Sequence, residues 1–220
     1  AGVDQLLMPP DPAAAVSSIR EAVEQGRLTE ERIDESVLRV LTLKEKRGVL
    51  ETGAVDVAGA AAVLEDPAHA EAAQKVADAS VTLVRNQEDL LPLGQGTSVS
   101  VRGEGAEQIT AALTEAGMNV VDGDADVVVV GTDGARGSQE QRSMVESARA
   151  GGAPVVVVSQ GGPYDLEAFP EVEAFLAVYS SVDVSRKAAA RVIAGEVKPS
   201  GELPVDIPGA DVEAGTGLTF

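Results

Sequence analysis

Two apolar rhythms alternate along most of the chain. Runs such as Val127-Val128-Val129-Val130 and Val155-Val156-Val157-Val158 are short, continuous and β-branched, which predicts strands buried on both faces. The pattern predicts a strand over 97–102, a helix over 106–116, a short strand near Asn119–Val121 and a strand over 126–131. A helix over 138–150, strands over 154–159 and 173–179 and a helix over 184–194 continue the series. Ahead of it, a helix beginning at Ala68 leads into a strand-like Ser80–Asn86, closed by Leu90-Leu91-Pro92-Leu93. At the far end, residues 203–207 alternate between Pro204 and Pro208 and predict a last edge strand. Val-rich strands separated by helices imply an α/β domain over 68–220, with a mostly parallel sheet of five or six strands sandwiched by helices.

The first fifty residues follow a different grammar. Residues 3–8 read as a short buried strand ended by Met8-Pro9-Pro10. Asp11-Pro12 offers an N-cap followed by Pro at the first helical position, and that helix runs to Gln25 before Gly26. Thr29 opens a second helix with Ile33, Val37, Val40 and Leu41 at helical spacing, ended by Gly48 behind Lys44, Lys46 and Arg47. One strand and two helices cannot bury their own apolar faces, so residues 1–50 are expected to belong to a larger body. In the chain alone, that helix face is expected to dock on the α/β domain or on a second copy. Strand 3–8 is expected to pair with another chain's edge or to lose strand geometry. Residues 51–67, rich in Gly, Ala and Asp up to Pro67, read as a linker.

Composition narrows the chemistry. A formal charge of -19, from 36 acidic against 17 basic residues, repels phosphate backbones and excludes nucleic acid as a partner. With no Cys there are no disulfides, thiol nucleophiles or cysteine-held zinc. No apolar run reaches membrane-spanning length. The chain has no Trp and only two Tyr and three Phe, which disfavours an autonomous sugar-binding module built on exposed rings. Its single histidine, His69 in Asp66-Pro67-Ala68-His69-Ala70-Glu71, reads as a surface or domain-seam helix residue. Two Gly-containing runs, Gly103-Glu104-Gly105 and Gly131-Thr132-Asp133-Gly134-Ala135-Arg136-Gly137, follow strands but lack dinucleotide or P-loop spacing. They read as helix-start turns, so no cofactor and no metal are expected.

The closing run Gly195-Glu196-Val197-Lys198-Pro199-Ser200-Gly201-Glu202-Leu203-Pro204-Val205-Asp206-Ile207-Pro208 resembles the end of glycoside hydrolase family 3, in its two-domain β-N-acetylhexosaminidase branch. Ala1-Gly2-Val3-Asp4-Gln5-Leu6-Leu7-Met8-Pro9 and the stretch Ile33–Gly48 are similar to the eighth strand and last helices of that family's N-terminal (β/α)8-type barrel. The resemblance implies a barrel remnant over 1–50 and the family's C-terminal α/β domain over 68–220. It also implies that the retaining nucleophile and the His-Asp acid/base lie upstream of Ala1, leaving this chain a non-catalytic scaffold. The partners implied are the missing N-terminal barrel and a carbohydrate bearing terminal β-linked N-acetylglucosamine. Self-association through residues 1–50 is expected of the chain alone, and the implied location is extracellular or cell-envelope associated.

Three residues stand out as substrate or domain-interface candidates. Asp11 follows a barrel-type strand, where substrate contacts sit, and equally suits a helix cap. Tyr164 and Asp165, in a Pro-Tyr-Asp-Leu turn after the strand over 154–159, are candidates for touching the barrel, or form a self-satisfied turn. Gly161-Gly162 stand where relatives commonly carry Arg-Asn. Some family members take an acid/base Glu from the second domain, and Glu140 and Glu167 are the candidates by position. The alternative is a stand-alone α/β module binding a small ligand at the carboxyl edge of its sheet.

Overall fold

A valine run is ambiguous until both of its faces are covered. The structure, a computed structural model, describes residues 2–51, 53 and 56–220 and divides between Leu64 and Glu65 into two units. Positions 52, 54 and 55 of the expected linker lie outside the described residues.

In the second unit, helix α4 (Pro67–Ser80) leads to strands β1 (Thr82–Asn86), β2 (Ser98–Gly103), β3 (Asn119–Val120), β4 (Val127–Thr132), β5 (Val155–Ser159) and β6 (Ala174–Ala177). Helix α5 (Ala106–Glu115) follows β2, α6 (Gln139–Ala150) follows β4 and α7 (Asp183–Ile193) follows β6. The six strands form one sheet in the order β1-β6-β5-β4-β2-β3. All neighbours are parallel except β1 and β6, where Thr82 faces Ala177 and Asn86 faces Ala174 in antiparallel register.

Alternate valines of one strand serve two cores. Val127 and Val129 pack with Ile109, Leu113, Leu176 and Ile193, the side covered by α4, α5 and α7. Val128 and Val130 pack instead with Val145, Leu166 and Phe175, the side covered by α6 and a short tight helix, Pro163–Ala168. This two-sided burial is why the run carries no polar alternation.

The last segment corrects one expectation. Residues 203–207 do not form an edge strand; they run as a strap held by backbone bonds at two isolated points, Leu203 and Ile207. Leu203 and Thr216 pair through Leu203 N–H to Thr216 O (2.9 Å), and Ile207 bridges Val212. Leu203 and Ile207 are buried in the second core, so their alternation reports burial of one face rather than ladder pairing. The outer edge of β1 receives one bond instead, from Leu218 N–H to Leu83 O at 2.8 Å.

The first unit holds α1 (Pro12–Glu24), α2 (Glu30–Lys46) and α3 (Val57–Leu64). Asp11 and Thr29 cap the first two by accepting from Ala14 N–H (3.0 Å) and Arg32 N–H (3.2 Å). Helix α3 stands inside the stretch read as a linker; Asp56 starts it by accepting from Ala58 N–H, and its alanines favour helix. Residues 3–8 form no strand, because a lone strand has no ladder to join. Asp4 ties this segment to α2 instead, bonded by Arg32 (2.9 Å), Arg39 (2.9 Å) and Ser36 (2.9 Å). Those bonds, Ser36 first and then Arg39 and Arg32, hold the Asp4 carboxyl below its ordinary value. Val3, Leu6, Val16, Ile19, Ile33 and Val40 line an open apolar groove of about 650 Å³, and Val37 and Leu41 remain about half exposed.

Candidate functional site

Parallel neighbours leave the sheet at the same edge, so the turns after β4 and β5 lie side by side. Between them is a cleft of about 560 Å³, with Asp133, Gly134, Arg136 and Gly137 on one wall and Gly161, Gly162, Tyr164 and Asp165 on the other. The first wall is fixed from α6, where the Gln141 amide accepts from Asp133 N–H (2.8 Å) and donates to Asp133 O (2.9 Å). The two walls meet where Gly161 lacks a side chain. A Cβ at that position would stand 2.1 Å from Asp133 Oδ1, so the Asp133 carboxylate occupies the space that any larger residue at 161 would take.

Beneath the cleft, Asp165 accepts from Thr132 Oγ1 (2.8 Å), Ser159 Oγ (3.2 Å) and the Arg136 backbone N–H (3.4 Å). The single Ser159 hydroxyl proton is shared between Asp165 and Gly162 O, the latter at 2.6 Å. The Arg136 guanidinium turns to Glu167, with Nε 3.0 Å from its carboxylate, and Glu167 also accepts from Gly209 N–H. An exposed ring, Tyr164, and an exposed carboxylate, Asp133, therefore border the same space, while the charge of Arg136 is already met. Such a surface can accept hydroxyl hydrogen bonds and stack an apolar face.

The sequence candidates fall in different places. Tyr164 keeps a surface position, 40% exposed at the cleft. Asp165, read as a surface contact, is 3% exposed with its carboxylate turned inward to two hydroxyls. The turn is tight enough that consecutive residues point to opposite sides. Glu167 lies beside the cleft but is ion-paired and mostly covered, and Glu140 is exposed on the first turn of α6. Asp11 belongs to the first unit, where it caps α1, and His69 lies exposed in the first turn of α4. Sequence reasoning missed Asp133, Gln141, Thr132 and Ser159. The Gly131–Gly137 run carries two of them, and its sequence signals only a helix-start turn.

The other crevice of the carboxyl edge is filled. The order in which strands are added reverses between β2 and β4, with β3 on one side of β2 and β4 on the other, and doubly wound sheets receive ligands at such a point. Here Glu104 N–H donates to Gly131 O (2.8 Å), closing the two strand ends together. The fully buried Gln160 donates to Glu104 O (2.8 Å) and accepts from Arg186 Nε (2.7 Å), plugging what remains. At the far side of the edge, Tyr179 donates its hydroxyl to Thr82 Oγ1 at 2.8 Å, and burial pushes its phenol above the ordinary value. Among the described residues no three His, Cys, Asp or Glu side chains gather to hold a metal, and no helix is long and apolar enough to cross a membrane.

An open, nearly all-parallel sheet with helices on both faces and a glycine-walled cleft at its carboxyl edge defines an α/β sandwich domain of the doubly wound class. Residues 110–216 match the glycosyl hydrolase family 3 C-terminal domain. It is similar to a β-N-acetylglucosaminidase/β-glucosidase of Cellulomonas fimi, 28% identical over 249 aligned residues, covering 94% of this chain and 44% of that protein. Among solved structures it is similar to a family 3 β-N-acetylglucosaminidase from Paenibacillus sp. str. FPU-7, with TM-score 0.70 and 27% identity. That match covers 89% of this chain and 43% of the other. A β-glucosidase from Listeria innocua shares the fold at TM-score 0.64 and 21% identity, covering 94% of this chain and 36% of that one. The chain thus spans less than half the length of these relatives.

Proposed function

We propose that this chain is the C-terminal portion of a retaining β-N-acetylhexosaminidase that releases terminal β-linked N-acetylglucosamine outside the cell or at its envelope. Within that enzyme the α/β unit is a non-catalytic scaffold, and residues 1–50 are the tail of the catalytic barrel. The observation that carries the reading is coverage: the glucosaminidase-type relatives align over about nine-tenths of this chain and under half of their own length. A retaining glycosidase needs two carboxyl-type groups about 5–5.5 Å apart across the scissile bond. Of the described carboxylates at the cleft, Asp165 is enclosed by hydroxyls and Glu167 is neutralised by Arg136, which leaves Asp133 as the one exposed carboxylate and no second to pair with it. The resemblance to the hexosaminidase branch assigns the nucleophile and the His-Asp acid/base to the barrel, with no cofactor.

In this reading the cleft adjoins the rim of the barrel's active site, with Tyr164 and Asp133 as its contacting groups. The filled crevice between β2 and β4 speaks against a free-standing small-ligand module. The test is turnover of an aryl N-acetyl-β-glucosaminide. The 220-residue chain is expected to be inert, and a longer polypeptide that includes the upstream coding sequence is expected to turn over. Robust hydrolysis by the chain alone, abolished by Asp133→Asn or Glu140→Gln, would overturn the division of labour. The apolar groove over residues 2–41 supports self-association of the isolated chain, which light scattering reads directly.

A further inference from the structure

Asp165 is a buried carboxylate whose partners, among the described residues, are two hydroxyls and one backbone N–H rather than a cation. Removing a carboxylate from water is costly, and an apolar side chain of similar size fills such a space more cheaply. Stability alone is a poor reason to place a carboxylate there, so its geometry matters more. Its partners come from three places: Thr132 ends β4, Arg136 lies in the turn that follows, and Ser159 ends β5. Through Ser159, which donates to Gly162 O, the connection reaches the second wall of the cleft. Both walls are rich in glycine, Gly134 and Gly137 on one side and Gly161 and Gly162 on the other. Glycine gives a wall little stiffness of its own. Gln141 anchors residue 133 from α6. The backbone ladder between β4 and β5 ends with Gln160 N–H on Thr132 O (2.8 Å), and past that point the side-chain bonds that cross beneath the cleft converge on Asp165.

We propose that Asp165 is the positioning residue of the cleft, a latch that holds its two walls at fixed separation so that the Tyr164 ring and the Asp133 carboxylate border one preformed space. The proposal takes its functional meaning from the reading of that cleft as a contacting surface, but the latch itself is tested on the chain alone. In Asp165→Asn, which keeps the shape and loses the charge, amide hydrogen exchange over residues 133–137 and 161–164 should speed up by about tenfold, since charge-assisted bonds are about twice as strong as neutral ones. Exchange over Val128–Val130 and Val156–Val158 should not change. Thr132→Val removes the best donor, preserves the carboxylate and should give the same local pattern, which covers the case where the Asn variant folds poorly.

A spectroscopic readout is available because the chain has two Tyr and no Trp. With Tyr179→Phe as background, tyrosine emission comes from Tyr164 alone, and acrylamide should quench it more strongly once Asp165→Asn is added. Unchanged exchange in both walls, or equal acceleration of walls and strands, would overturn the latch. In the longer, active polypeptide Asp165→Asn should raise KM more than it lowers kcat. Loosened walls with an unaltered KM would uphold the latch and sink the cleft's role toward substrate instead.

Discussion

Gly201 stands where the closing strap crosses the start of β1, and the crossing leaves no room for a side chain. Its N–H donates to Val81 O at 3.0 Å. A Cβ there would lie 2.5 Å from Ser80 O, 2.5 Å from Thr82 Oγ1 and 2.8 Å from Val81 O. Two of those atoms are backbone carbonyls, and Val81 and Thr82 are fully buried, so the β1 side cannot yield. Retreat of the strap is blocked as well: a Cβ on Gly217 would lie only 2.3 Å from Gly201 O, which shows how closely the tail packs behind it. Relief to an ordinary carbon–oxygen separation of roughly 3.3 Å needs a strap shift of nearly 1 Å. That shift breaks the bond to Val81, worth about 1 kcal/mol. It also partly withdraws Leu203, which is 2% exposed and whose full burial is worth about 1.5–3 kcal/mol. Gly201→Ala should therefore destabilise the α/β unit by about 2–3 kcal/mol, in the range of overpacking costs. The assay is urea denaturation followed by amide exchange at Val156–Val158, which reports this unit alone. Gly94→Ala is the control: its nearest neighbour would be Thr97 Oγ1 at 3.7 Å, and it should be neutral or gain about 0.5 kcal/mol. A loss below about 0.5 kcal/mol for Gly201→Ala would refute the argument that close backbone approach is what this position requires.

The remaining expectations probe the core and the titrating groups. Phe175 on β6 is fully buried in the second core, and Phe175→Ala should cost about 3–5 kcal/mol in the same denaturation assay. The folded-state pKa of Asp4 is depressed, so the hold of residues 2–9 on α2 is complete above the ordinary value of 3.8 and is lost as pH falls below it. Carbon-detected NMR titration should show the carboxyl ionising low, and Asp4→Asn should abolish the acid-dependent release of that segment. The folded-state pKa of Tyr179 is raised above 10.0, so its contribution is intact below pH 10 and fades as pH rises through the folded value. Ultraviolet difference spectra should show this late ionisation, and Tyr179→Phe should remove it.

The amino-acid sequence by itself determined the class of fold, because that information is local. Four consecutive valines in β4 and again in β5 have no polar face to spare, so they must be covered on both sides. Helix starts were equally legible, since a cap such as Asp11 with Ala14 N–H, or Ser138 with Gln141 N–H, is satisfied within one turn. Asp11 and the final residues 195–208 were visible as punctuation for the same reason. Pairing was not legible. Whether β1 runs parallel or antiparallel depends on its contact with β6, ninety residues away or so, and period-two burial does not say which neighbour supplies the ladder. Residues 203–207 alternate like a strand because Leu203 and Ile207 are buried, yet they bond only at single points. Residues 3–8 have strand-like composition and no ladder. The cleft was hidden for a related reason: Thr132 meets Asp165 across 33 positions of sequence, and only the parallel exit of β4 and β5 brings them together. Composition also placed Tyr164 and Asp165 in one turn, but only packing decided that the ring faces solvent and the carboxylate does not. Local chemistry sets elements and their ends, whereas the inward or outward sense of a polar group in a turn is fixed by what the rest of the chain brings to meet it.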